Sequence, residues 1–242
     1  GLTGDVSLVS GTLEDAQLDV DCAVTGAASI AGSGVVTDQL LTIARGSRLR
    51  VSGAQQIGGT GAVVLGAGGS GTSAELEMTT GSVLTLAAPT TIRGTGTITG
   101  TAAERLVILG TLQGSVAAQR LRVQSDWHCP GTFSVAAGGF LDFTRSGRLT
   151  GSVDGAAGTV TFFGGFDADG GTPSITGIVE TRSTVQNGTI RGTGSLRANS
   201  GRLQQLTLDV PCVMTGFFTT DRLTLNSDLT FHAGTVGTNV WT

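Results

Sequence analysis

Gly11–Gly26 reads GTLEDAQLDVDCAVTG, and Gly201–Gly216 reads GRLQQLTLDVPCVMTG, with Gly, Leu, Leu, Asp, Val, Cys, Thr and Gly recurring in place. A shorter echo, VQSDWHC, occupies Val123–Cys129. A second phrase starts IAGSG at Ile30, IGGTG at Ile57 and IRGTG at both Ile92 and Ile190, which puts Gly32, Gly59, Gly94 and Gly192 at equivalent repeat positions. Self-similarity of this kind marks a chain that stacks one small unit, each copy covering the apolar face of the next.

Alternation within the phrases assigns faces. Leu18, Val20, Cys22 and Val24 fall on one side of an extended segment and Asp19 and Asp21 on the other; Leu208, Val210, Cys212 and Met214 repeat the phase, and Trp127 shares it with Cys129. All three thiols are therefore expected to point inward, where a free cysteine behaves as a small hydrophobe. Three cysteines also exclude a complete set of intrachain disulfides.

Helical periodicity is nearly absent. Short alternating runs dominate instead, such as LTIARGSRLRV at Leu41–Val51, VLTLA at Val83–Ala87 and RLTLNSDLTF at Arg222–Phe231, each bounded by Gly, Ser, Asn or Asp. Cys22 to Cys129 is 107 residues and Cys129 to Cys212 is 83, which fit five and four units of roughly 21. Ile92 to Ile190, at 98 residues, fits five units of roughly 20. A period near 20 suits a coil of short strands and falls well below the ~40–45 residues of a propeller blade. The expectation is an all-β, right-handed parallel β-helix: one solenoid domain over residues 1–242, with three short sheets and about eleven coils. At ~4.8 Å per coil its length is about 50 Å. Extra residues between Ile57 and Ile92 point to a loop at Leu65–Ala74.

Composition narrows the function classes. The 242 residues include 40 glycines, no tyrosine and no lysine; all fourteen basic residues are arginine, which points to a GC-rich, bacterial coding sequence. A net charge of −4 offers no basic field for a phosphate backbone, so nucleic acid is not an expected partner. No apolar run reaches the ~18 residues of a membrane helix. Both ends read as repeating material, with Leu2, Val6 and Leu8 at one and Val236, Val240 and Trp241 at the other. The expectation is a segment of a longer protein whose partners are further coils or other subunits, end to end.

The phrases IRGTGTITG and LTLAAPTTIRG resemble the coils of secreted bacterial right-handed parallel β-helices: autotransporter passengers, filamentous-haemagglutinin-type adhesins and the wider pectin-lyase-like superfamily. The resemblance implies export and an extracellular or cell-surface role, and it carries over no functional residue. It also raises two alternatives, a polysaccharide-degrading enzyme and a glycan- or ice-binding module.

Each alternative calls for particular residues. Glycoside cleavage needs two carboxylates about 5–9.5 Å apart across a cleft. Asp19 and Asp21 are two apart, and the second becomes Pro211 in the later copy. In GGFDADGG, Gly164–Gly171, Asp167 and Asp169 alternate in a glycine-rich turn like part of a calcium loop, without the bidentate Glu of the full pattern. Asp126, His128 and Cys129 cluster, but His128 and Cys129 face opposite ways on a strand, against both zinc and Cys–His catalysis; His232 lies far off in sequence. Thr95–Thr99, TGTIT, would serve ice binding only if T-x-T recurred on successive coils. Phe162, Phe163, Phe166, Phe217 and Phe218 read better as core than as a sugar-stacking patch. No cofactor and no catalytic residue is assigned. The expected function is that of a structural or adhesive solenoid, with surface glycan as a possible ligand class.

Overall fold

The computed structural model describes residues 5–67, 73–101 and 103–232, together with the backbone of 236–237. Twenty-five strands form a parallel β-solenoid of about eleven turns, and there is no helix among the described residues. The first turn shows the construction. Strand Val6–Leu18 wraps around all three sides: Val6–Leu8 pairs with Cys22–Val24, Ser10–Glu14 with Ala27–Ala31, and Ala16–Leu18 with Val35–Thr37. Register shifts between Leu8 and Ser10 and between Glu14 and Ala16 are the corners. We name the three sides face A, face B and face C in that order. Continuing outward, Cys22 pairs with Leu41 on face A, Ala28 with Leu49 on face B, and Val35 with Ile57 on face C.

Alternation builds the interior. On each four-residue strand two side chains point in and two out, so strands such as Val83–Leu86 and Thr111–Gly114 bury every second residue. The core is a continuous column of Val, Leu and Ile, with Trp127, Phe133, Phe143, Phe162 and Phe166 filling its middle turns. Adjacent rings there lie with centroids 4.4–5.3 Å apart, within the range at which aromatic pairs attract. Parallel strands buried on one face and stacked on both edges account for the β-branched bias.

The turns are not uniform. Val6 pairs with Cys22 and Leu208 with Leu225, steps of 16 and 17 residues, whereas Ile92 pairs with Leu112 and Leu112 with Phe133, steps of 20 and 21. The step from Val63 to Ile92 is 29 and contains the Leu65–Ala74 stretch, of which 68–72 lie outside the described residues. Leu2, Val240 and Trp241 also lie outside them.

This corrects the integer spacing of the cysteines. Cys22 sits on face A, Cys129 on face C and Cys212 on face B. The long repeat therefore advances by one side between its copies. Its local conformation does not change: Gly11 and Gly201 both have φ of +131°, and Asp15 and Gln205 have +45° and +50°. The same words make the same bend, and then the same strand, on a different side of the triangle.

The second phrase marks corners. Gly32, Gly59, Gly94 and Gly192 all have positive φ, between +71° and +125°. Gly94 shows why glycine is needed there. Besides its φ of +119°, a methyl group at this position would strike the Leu65 carbonyl oxygen of the preceding turn.

Candidate functional site

Face C carries a polar cleft of about 420 Å³ over the middle turns. Register explains its contents. Arg105 is paired with Asp126, His128 with Arg148, and Arg148 with Asp167, so outward side chains of successive turns line the floor, with Asp126 and His128 both from one strand. Two candidates that are about forty residues apart in sequence, Asp126–Cys129 and Asp167–Asp169, thus meet across Arg148. That bridging arginine carries no motif, and only the coil register identifies it.

The hydrogen bonds around Asp167 define its chemistry. Its Oδ1 accepts the Asp169 N–H at 2.7 Å, and its Oδ2 accepts Gln186 Nε2 at 2.8 Å and Asn187 Nδ2 at 2.9 Å. Burial pushes the Asp167 carboxyl up, but those three donors and the Arg148 charge outweigh it and hold the group below its ordinary value. Asp169 is turned to Arg148, with Oδ2 3.1 Å from Nη1. Donors surround one carboxylate and a cation holds the other, an arrangement that fixes a turn rather than one that offers lone pairs to calcium. Among the described residues no three His, Cys, Asp or Glu side chains converge as a metal set.

His128 is held below its ordinary value first by burial, then by the nearby charges of Arg148 and Arg105, against an opposing pull from Asp169. Burial and the two neighbouring positive charges favour its neutral form. Cys129 points the other way, with no exposed surface, and pairs with Leu149 in the core. The thiols of Cys22 and Cys212 are likewise free and buried. The cleft therefore presents an imidazole, two arginines, carboxylates and the hydroxyl residues Ser146 and Thr184.

The remaining candidates are dispersed. Asp19 and Asp21 lie at the corner between strands Val6–Leu18 and Cys22–Thr37 and not on a strand. Asp21 Oδ1 accepts the Leu40 N–H at 3.0 Å, and Asp19 Oδ1 accepts Gln17 Nε2 at 3.0 Å. Thr97 and Thr99 of TGTIT have Glu75 and Glu77 as neighbours on one side and Arg122 and Gln124 on the other, so they belong to no threonine array. A hydroxyl row does exist on face A, where Thr91, Thr111, Thr132, Ser152 and Ser174 stack in register. It escapes a reading for T-x-T because its members come from five turns with unlike neighbours. Phe162, Phe166 and Phe218 are in the core, but Phe217 is exposed and Phe163 faces outward beneath Arg182.

No protein-family model, curated protein or solved structure matches the chain. The class that the fold defines is the parallel β-solenoid.

Proposed function

We propose that this chain is a non-catalytic structural and adhesive segment of a bacterial surface protein, filament or sheath, working outside the cell as a rigid, extendable spacer. The observation that carries this reading is the pairing pattern: between the first and last turns, strands bond to the turn before and the turn after, on all three faces. A stack with only nearest-neighbour contacts can gain or lose a turn without redesign, which suits a part selected for reach and stiffness. The interior is a column of packed apolar side chains, and in the face-C cleft the Asp167 and Asp169 carboxylates are engaged by donors and by Arg148. Fold by itself does not fix function, so the reading is tested through modularity. A variant lacking residues 92–111 removes one register-defined turn, from Ile92 to the residue before Leu112. It should give an unaltered β-type circular dichroism spectrum and keep a cooperative melt. Loss of folded structure in this variant would reject the modular spacer. Release of reducing ends from any of a panel of neutral and acidic polysaccharides by the intact chain would establish the enzyme alternative in its place.

A further inference from the structure

Face B has its own outward cleft, of about 340 Å³. Its floor is a single register line, with Arg122 paired to Asp142, Asp142 to Thr161 and Thr161 to Glu180 on successive turns. Its walls are two arginines lying on aromatic rings. The Arg120 guanidinium is 4.6 Å from the Phe140 ring centroid, and that of Arg182 is 5.0 Å from Phe163. Cation–π contact, worth about 0.5–1 kcal/mol at exposed sites, seats both guanidiniums beside the floor without locking them.

Asp142 is the anomaly. It is 1% exposed, although its position alternates outward, because the wall side chains close over it. Its Oδ2 accepts Arg120 Nη1 at 2.7 Å, while its Oδ1 has no hydrogen-bond partner. A buried carboxylate oxygen without a donor is costly, and most such atoms in folded proteins are satisfied. Arg122 beside it has no ion pair among the described residues. The cleft therefore holds a spare cation and a spare acceptor one register step apart.

We propose that this cleft binds a hydroxycarboxylate, a small framework carrying a carboxylate and a hydroxyl group together. The carboxylate takes the guanidinium of Arg122, one register step from Asp142, whose planar fork suits a two-oxygen anion. The hydroxyl supplies the donor that Asp142 Oδ1 lacks, with Arg120, half exposed and able to swing, sharing the carboxylate. An ammonium in place of the hydroxyl is disfavoured, because three arginines outnumber the carboxylates of Asp142 and Glu180. A simple anion without a donor is disfavoured as well, because it brings its lone pairs against Oδ1.

The proposal goes beyond the spacer reading and is tested separately, by titration calorimetry of the intact chain with D-glucuronate. Acetate serves as the carboxylate without a hydroxyl, and D-glucose as the hydroxyls without a carboxylate. Saturable heat is expected with glucuronate, and binding at least tenfold weaker with either control. Arg122→Gln, a surface change that breaks no ion pair, should weaken glucuronate at least tenfold with an unchanged circular dichroism spectrum, and Asp142→Asn should do the same where it folds. A glucuronate-containing oligosaccharide (a hyaluronan hexamer) identifies the source. Tighter binding than the monosaccharide supports a polymer ligand, and equal binding supports the free acid. Absence of glucuronate binding at 10 mM (about the weakest affinity worth measuring), equal binding of acetate, or full affinity in Arg122→Gln overturns the proposal.

Discussion

Cys129 has no exposed surface and pairs with Leu149, and burial drives its thiol far above the ordinary range, against an opposing pull from the Gly131 N–H. Burial pushes Cys212 up to about 12 and raises Cys22 as well. These thiols dominate alkaline behaviour because the chain has neither lysine nor tyrosine. No other side chain titrates between the histidine and arginine ranges. The direction follows from proton counts. Above pH ~9 the unfolded chain has lost its thiol protons while the native chain keeps them, so the unfolded state binds fewer protons and stability falls as pH rises. Each thiol contributes full stabilisation below its unfolded value, and about 1.4 kcal/mol is lost per pH unit until its folded value is passed. Melting temperature should therefore decline from pH 9 to 11. The decline should be shallower in Cys129→Ala, whatever that variant's stability at neutral pH. Parallel declines in the two proteins would show that Cys129 ionises as readily when folded as when unfolded.

Single strands here are too short to be stable by themselves, and what they bury depends on the turn they join. Phe140–Phe143 illustrates this: Leu141 and Phe143 enter the core, and the Phe143 ring lies 4.4 Å from Phe133, 4.9 Å from Trp127 and 5.0 Å from Phe162, centroid to centroid. Phe143→Ala removes the centre of that cluster and leaves a void that neighbouring β-strands, pinned on both edges, can hardly close. The expected cost is about 3–5 kcal/mol, read as a lower urea midpoint together with loss of the near-ultraviolet dichroism of Trp127. A midpoint within the error of the unchanged chain would mean that the cluster repacks freely. Such strands were legible in the sequence because alternation needs only local information, and the recurrence that sets Gly94 and Gly192 at equivalent positions was legible for the same reason. Which side of the triangle a strand occupies was not legible. The three sides use strands of similar length and the same corner chemistry, so Cys22, Cys129 and Cys212 share a phrase while standing on three different faces. Both clefts were hidden by the same ambiguity: Arg122, Asp142, Thr161 and Glu180 become neighbours only when every intervening coil length is known, and those lengths run from 16 to 29 residues.

Across the whole stack, stability is a sum over turns and their shared interfaces, and the turns are unequal. In the first, Val6, Leu8, Leu13, Ala16 and Leu18 are only partly buried, and towards the other end Leu225 and Leu229 are as well. The middle turns bury Leu121, Phe133, Phe143, Val160 and Phe162 completely, with paired strands on both sides. Corner economy follows the same gradient, since a 16-residue step leaves a single residue such as Asp15 to turn the chain, at a φ of +45°. That residue is held in place by its Oδ1, which accepts both the N–H and the hydroxyl of Ser33 at 2.6 Å. Opening of an end turn exposes little apolar surface and breaks one interface; opening of a central turn breaks two and exposes the aromatic column. Native-state amide exchange should therefore be graded along the axis. Amides of Val6–Leu18 should exchange fastest, and those of Arg120–Gln124, Phe140–Phe143 and the Thr159–Phe162 stretch slowest, with intermediate turns ordered by distance from the ends. Equal protection from Val6 to Leu225 would show instead that the solenoid opens only as one unit, and a stack with that property could not be lengthened or shortened one turn at a time.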